Sequence, residues 1–152
     1  MRGRRRGAGR RGGSVLLGLL VLPAVLSGCA GEPAASPAPA TARPGVGTVT
    51  TADDGVQEIT LQTQDDYVFT PNSFTVRPGQ IRLTLINVGK EMVHNFRFPP
   101  DSGPAAIDEE IDILPAGATE TIEFEVSAPG EYPFECTFHV QLGQVGTMTV
   151  SE

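Results

Sequence analysis

Residues 130–150 read GEYPFECTFHVQLGQVGTMTV. Apolar side chains and a cysteine occupy alternate positions in both halves of this stretch: Tyr132, Phe134, Cys136, then Met148 and Val150. Such alternation is typical of strands with one buried face. The stretch therefore predicts two strands joined by a short loop, with Cys136 at the start of the loop and His139 inside it.

The same alternation recurs upstream, from residue 56. Its predicted inward positions are Ile59, Leu61, Phe74, Val76, Ile81, Leu83, Leu85, Met92, His94, Phe96, Phe98, Ile122, Phe124 and Val126. Pro-Gly turns at 78–79 and 129–130 separate the runs, and we find no convincing amphipathic helix. Residues 56–152 are therefore predicted to form an all-β domain, an antiparallel β-sandwich of about seven or eight short strands.

Charge divides the chain into two unlike parts. The formal net charge is −7, yet six of the eleven cations lie in the first eleven residues, and without them the balance is 5 − 18 = −13. An acidic remainder excludes a nucleic-acid binder, because such binding requires excess positive charge against phosphate. Two cysteines are also too few for a disulfide scaffold.

The N-terminal residues 1–28 are typical of an export signal. An Arg-rich start precedes the apolar run 14–26, which is too short to span a membrane and is broken by Pro23. The following Leu26-Ser-Gly-Cys29 resembles a bacterial lipobox, which implies cleavage before Cys29 and lipid attachment to it at the extracytoplasmic face of the cell membrane. The alternatives are a periplasmic protein with a plain signal peptide and a protein with an uncleaved anchor. The sequence does not distinguish export by the Sec route from export by the Tat route.

Residues 29–55 begin with the lipidated Cys29 and continue with small residues and prolines. Few of these side chains can be buried, so the segment cannot offset the entropy of ordering. We predict a flexible tether between the lipid and the β-domain.

The chain has two histidines, and both fall near Cys136 in the predicted fold. His94 lies at a predicted inward position of one strand, and His139 follows Cys136 in the loop. A thiolate and two imidazoles form the trigonal set of copper sites that transfer electrons. The alternative is an ordinary core histidine and an inert buried cysteine, although a free cysteine in an oxidising compartment is unusual.

Two ligand segments resemble those of the cupredoxins, the blue-copper family. They are 136–150, with the plastocyanin-like spacing Cys-x2-His-x4-axial, and 87–96, which reads NVGKEMVHNF. The resemblance implies a Greek-key sandwich that holds one type 1 copper ion, with His94, Cys136 and His139 as its equatorial ligands. It also implies that Asn95 hydrogen-bonds across to the cysteine loop, holding that loop and tuning the thiolate.

One position departs from the plastocyanin-like pattern. Gln144 stands where the axial methionine is usual, and stellacyanin is similar in using an axial glutamine. An amide oxygen is a harder donor than a thioether, so an axial Gln144 favours Cu(II) and lowers the reduction potential. The alternative is that Gln144 faces solvent and the site has three ligands.

The resemblance implies a one-electron carrier rather than an enzyme, because both histidines are used by one site and none remains for further copper centres. His139 is expected to expose its ring edge, with an apolar docking patch of Phe138, Val140 and Leu142. Partial core burial of these three is the alternative. The acidic surface suits a redox partner with a basic patch, and we expect a monomer. A copper storage or delivery protein is the second hypothesis.

Overall fold

The computed structural model describes residues 42–152, so the predicted signal peptide, Cys29 and most of the tether lie outside the described residues. The strands are β1 (Thr50–Thr51), β2 (Gln57–Thr63), β3 (Phe69–Thr70), β4 (Ser73–Val76), β5 (Gly79–Asn87), β6 (His94–Phe96), β7 (Ile111–Leu114), β8 (Thr119–Val126), β9 (Gly130–Glu135) and β10 (Val145–Val150). One short 3₁₀ helix spans Val140–Leu142. Within residues 42–152 no helix is long and apolar enough to cross a membrane.

The strands form layers around one core, which confirms the all-β sandwich. The larger sheet has the order β1-β2-β5-β8, with β3 also paired to β2. The second sheet has the order β4-β10-β9, and β6 pairs with β7 separately. The core contains most of the inward side chains that the alternation predicted, but Met92 and Ile122 are only partly buried. Phe69, Ile107, Ile111 and Leu114 are core residues that it did not predict. An aromatic group lies at the centre: Phe69, Phe74, Phe96, Phe98, Phe124 and Phe134.

The sheets are mixed, whereas the sequence predicted an antiparallel sandwich. β2 pairs with β5 in parallel, and β4 pairs with β10 in parallel. Alternation reveals which face of a strand is buried but not the direction of its neighbour. The chain between β2 and β5 passes through β4 in the other sheet, which provides the crossover that parallel neighbours require. There are ten strands rather than seven or eight, partly because the two-residue β1 and β3 are too short to show alternation.

The larger sheet also includes residues that the sequence assigned to the tether. Thr50 and Thr51 pair with the start of β2. The Gly47 N–H donates to the Thr60 carbonyl at 2.9 Å, and the Arg43 N–H donates to Gln62 Oε1 at 3.2 Å. These contacts are made by the backbone of the segment, which needs no apolar side chains, and so composition did not reveal them.

Candidate metal centre

Three side chains that can bind a metal converge where β6, β9 and the following loop meet. His94 begins β6, Cys136 follows the last residue of β9, and His139 lies in the loop. Their ligating atoms all lie within 4.8 Å of one another, and Cys136 Sγ is 3.5 Å from His139 Nδ1. His94 and Cys136 are fully buried, whereas His139 is partly exposed. The structure thus brings together the three donors that the sequence singled out.

Gln144 lies beside the same three residues and is fully buried. Its Oε1 lies 2.9 Å from Nδ1 of His94 and 3.0 Å from Nδ1 of His139. Its Nε2 donates to Oγ1 of Thr63 at 2.7 Å. The glutamine therefore faces the donors and not solvent, contrary to the alternative of an outward side chain.

The chemistry of this donor set fits copper. One thiolate and two imidazoles, with a weak fourth donor, is the set found in copper sites that transfer electrons. Structural zinc sites instead use four strong nitrogen or sulfur ligands in a tetrahedron. Here the fourth group is a neutral amide oxygen, which is a weak donor.

Burial also prepares His94 to bind a metal. Its pKa is lowered, chiefly because burial disfavours the charged ring. The hydrogen bond to Gln144 opposes this shift, and the nearby charge of His139 adds to it. Neutral imidazole is the form that ligates metals, so burial keeps His94 in a form competent to bind.

Asn87 holds the segment that carries His94. Its side chain is fully buried, and its Nδ2 donates to the carbonyls of Met92 at 2.8 Å and Leu114 at 3.1 Å. Its Oδ1 accepts the Gly89 N–H at 2.9 Å. Since Leu114 pairs with His94 across β6 and β7, Asn87 ties the incoming loop to the strand that neighbours the histidine.

Asp65 holds the same loop from its outer side. Its carboxylate accepts the N–H groups of Lys90 and Met92, each at 2.9 Å, and of Glu91 at 3.3 Å. These bonds, led by the one to Lys90, lower the pKa of Asp65. The close approach also requires glycine at position 89, where an added Cβ would lie 2.6 Å from the Asp65 carboxylate.

The loop that carries the other donors closes through its own backbone. The Cys136 N–H donates to the Gln144 carbonyl at 3.1 Å, and the His139 N–H donates to the Cys136 carbonyl at 3.1 Å. The Leu142 N–H donates to the His139 carbonyl at 2.8 Å, in the 3₁₀ helix. Gly143 then ends this helix with a φ of 91°, a conformation that favours glycine.

Asn95 connects the His94 strand to this loop. Its Nδ2 donates to Thr137 Oγ1 at 2.7 Å, and its Oδ1 accepts the Thr137 N–H at 2.7 Å. The backbones of Arg97 and Glu135 exchange two hydrogen bonds further along, at 3.1 and 2.9 Å. The resemblance implied that Asn95 hydrogen-bonds across to the cysteine loop, and the structure contains two such bonds.

Apolar side chains lie at the surface beside His139. Phe138 is 52% exposed and Leu142 is 59% exposed, while Val140 is partly exposed. The ring of Tyr67 lies against His139, with 5.0 Å between the ring centroids. Phe138 and Leu142 are therefore available at the surface, and the alternative of partial core burial applies to Val140 alone of the three.

Sequence reasoning missed four residues around the site: Thr63, Asp65, Tyr67 and Asn87. Thr63 had a usable signal, because it continues the inward phase of Ile59 and Leu61 at a position where another aliphatic residue would be ordinary. Asn87 had the same signal, because it continues the inward phase of Leu83 and Leu85 in β5. Asp65 and Tyr67 had none, since their partners are distant in the chain and cannot be read from local spacing.

Comparison with known proteins identifies relatives of one kind. A family model described as a cupredoxin-like domain matches residues 35–150. The chain is 36% identical over 98 residues to plastocyanin A/B of Petroselinum crispum, covering 62% of this chain and 99% of that protein. It is 36% identical over 89 residues to the major chloroplastic plastocyanin isoform of Arabidopsis thaliana, covering 55% of this chain. The chain spans about half the length of the Arabidopsis protein, 52%.

Solved structures agree with this family. An auracyanin from Roseiflexus castenholzii superposes with a TM-score of 0.55 at 26% identity, covering 62% of this chain and 97% of that one. Auracyanin B superposes with a TM-score of 0.55 at 22% identity, covering 71% of this chain and 97% of that one. The second likeness shows a shared fold.

Proposed function

This chain belongs to the cupredoxin-like domain family, and we propose that it is a type 1 copper protein that carries single electrons outside the cytoplasm. The observation that carries the proposal is the convergence of His94, Cys136 and His139 within 4.8 Å, with the Gln144 oxygen beside them. The auracyanin of Roseiflexus castenholzii was crystallised in a form reduced with sodium dithionite, which supports a redox role for this fold.

A copper ion held by these residues supplies one-electron chemistry by alternating between Cu(I) and Cu(II). The protein's part is to keep the donors in place. Asn87 and Asp65 fix the segment before His94, and Asn95 ties this side to the loop that begins at Cys136. Because both sides are held by hydrogen bonds, the donors keep their positions when the charge changes, and little of the protein reorganises.

Contact with a redox partner takes place at His139, the donor that reaches the surface. The exposed Phe138 and Leu142, with the partly exposed Val140, form the apolar docking patch. The charge balance of 5 − 18 = −13 beyond residue 28 attracts a partner with a basic patch, and salt should slow this encounter.

The axial donor in this proposal is the Gln144 oxygen. The short distances from Oε1 to the Nδ1 atoms of His94 and His139, 2.9 Å and 3.0 Å, support this assignment. A hard amide oxygen favours Cu(II) over Cu(I), so the protein is proposed to have a lower reduction potential than a methionine variant.

The location and the exclusion of catalysis rest on the sequence. In this proposal residues 1–28 direct export, Cys29 carries the lipid, and the chain between Cys29 and the first residues bonded to the larger sheet, from Arg43, links the lipid to the domain. Both histidines of the chain belong to one proposed site, so none remains for the additional copper centres of a copper oxidase. We therefore propose a membrane-anchored monomeric carrier that catalyses no reaction of its own.

The visible spectrum of the purified protein with Cu(II) tests the proposal. Wild-type protein should show an intense band near the red end, because thiolate-to-copper charge transfer needs Cys136. Cys136→Ser should lose this band completely, whereas Cys29→Ser, which removes the other cysteine, should keep it. A colourless wild-type protein without copper affinity would contradict the proposal, and metal loss on each reduction would favour storage or delivery instead.

A further inference from the structure

The side-chain amide of Gln144 has two different ends, and only one of them can donate an electron pair to a metal. The oxygen carries lone pairs, whereas the NH₂ group is a hydrogen-bond donor. In the structure Oε1 lies 2.9 Å and 3.0 Å from the Nδ1 atoms of His94 and His139. Something must hold the NH₂ group on the other side.

Thr63 provides the acceptor for that NH₂ group. Its Oγ1 lies 2.7 Å from Gln144 Nε2, and the two side chains are 1% and 0% exposed. Thr63 is itself fixed, because its backbone pairs with Asn87 in β5 and with Phe69 in β3. Thr63, which lies in the larger sheet and 81 positions away in the chain, thus contacts the side chain of the proposed axial donor.

We propose that Thr63 is a positioning residue that locks the Gln144 amide with its oxygen toward the metal site. This inference rests on the proposed copper centre with Gln144 as its axial donor. In the observed orientation the NH₂ group donates to the Thr63 oxygen at 2.7 Å, which leaves Oε1 at the opposite end, 2.9 Å and 3.0 Å from the two ring Nδ1 atoms. Without the hydroxyl, the buried NH₂ group has no acceptor at that end, and the amide is free to rotate by half a turn, which exchanges its oxygen and its nitrogen.

The test compares variants that keep or remove the hydroxyl. Thr63→Val removes it with little change in shape, Thr63→Ser keeps it, and Thr60→Val makes the same exchange on the outer side of β2 as a control. In the metal-free protein, NMR should show displaced Gln144 side-chain NH₂ resonances and at least tenfold faster exchange in Thr63→Val only. Unchanged resonances and exchange in Thr63→Val would overturn the proposal.

The copper-loaded protein supplies a second readout. Thr63→Val should raise the reduction potential toward that of Gln144→Met, while Thr63→Ser and Thr60→Val should match the wild type. Adding Thr63→Val to Gln144→Met should cause no further rise, because the amide is then absent. A potential of Thr63→Val equal to that of the wild type, or an equal rise in the Gln144→Met background, would overturn the proposal.

Two further comparisons keep the proposal testable. If Thr63→Val does not fold, Thr63→Ala against Thr63→Ser isolates the hydroxyl, and equal behaviour of these two would refute its role. If wild-type protein binds no copper, the proposed function fails, whereas the NMR comparison on metal-free protein still decides whether Thr63 orients the amide.

Discussion

The two sides of the metal site are built in different ways. His94 is placed by side chains that reach across the fold, because Asn87 and Asp65 bind the loop before it. The segment Cys136–Gln144 supplies three donors and is closed mainly by its own backbone. One side is thus part of the protein's framework, and the other is a compact local loop attached to it.

This difference predicts which changes affect stability and which affect only the metal. Loss of the buried framework residue Asn87 leaves buried polar atoms without partners, so it should destabilise the whole domain, whereas the exposed Asp65 should contribute less. A change within the loop should be felt chiefly by the copper, because few other parts of the fold depend on its conformation. The four variants below test this separation.

Replacing Asn87 with Ala should have the largest effect on stability. It removes two bonds from Nδ2 and one to Oδ1 at a fully buried position, which costs about 3 kcal/mol of the free energy of unfolding. Asn72→Ala is the matched control, because the Asn72 side chain is exposed. Chemical denaturation of the metal-free proteins measures the free energy of unfolding of both variants. Equal values would contradict the idea that the His94 side is part of the protein's framework.

Replacing Asn95 with Ala should have an intermediate effect, because Asn95 joins the two sides. Two hydrogen bonds to Thr137 are lost, for about 2 kcal/mol of the free energy of unfolding. The position of the thiolate-to-copper band should also move, since the loop that begins at Cys136 loses its tie. A double-mutant cycle with Thr137→Val measures the coupling through the Thr137 hydroxyl, because the backbone N–H of residue 137 remains in that variant. Additive effects would mean that the side-chain bond does not link the two sides.

The contrast also explains what could be predicted from the sequence. On the loop side, Cys136 and His139 were predictable because a short spacing places them on the flank of two alternating strands, whereas Gln144 was implied by the resemblance to the plastocyanin-like loop. Most inward positions of the strands were predictable from their alternation, and the core contains those side chains except Met92 and Ile122, which are partly buried.

The framework side was not predictable beyond His94 itself. The partners of Asn87, Asp65 and Thr63 lie up to 81 residues away, and local patterns carry no information about such pairings. The parallel pairing of β2 with β5 was missed for the same reason, because local patterns do not reveal which strands are neighbours. Thr63 and Asn87 are exceptions in part, since a polar side chain at an inward position of a strand indicates that a hydrogen-bond partner must satisfy it.

Replacing Gly143 with Ala tests the loop side, with Gly117→Ala as its matched control. Both glycines have positive φ, 91° and 79°, and an added Cβ meets no atom within 4 Å at either position. Each variant should therefore lose a similar free energy of unfolding, about 1 kcal/mol, from backbone strain alone. Only Gly143→Ala should alter the visible spectrum and the reduction potential, and a change of equal size in Gly117→Ala would contradict a local loop.

Replacing Asp65 with Asn should have the smallest effect and one confined to a pH range. The N–H groups of the loop, led by Lys90, hold the pKa of Asp65 below its ordinary value of 3.8. A lowered folded-state pKa stabilises the protein above the unfolded value, and this contribution disappears as the pH falls through the folded-state pKa. Acid titration of unfolding should therefore show a shallower loss of stability below about pH 4 in Asp65→Asn than in the wild type. The exposed Asp112 serves as control, and an equally shallow curve for Asp112→Asn would mean that the loop gains nothing from the carboxylate of Asp65.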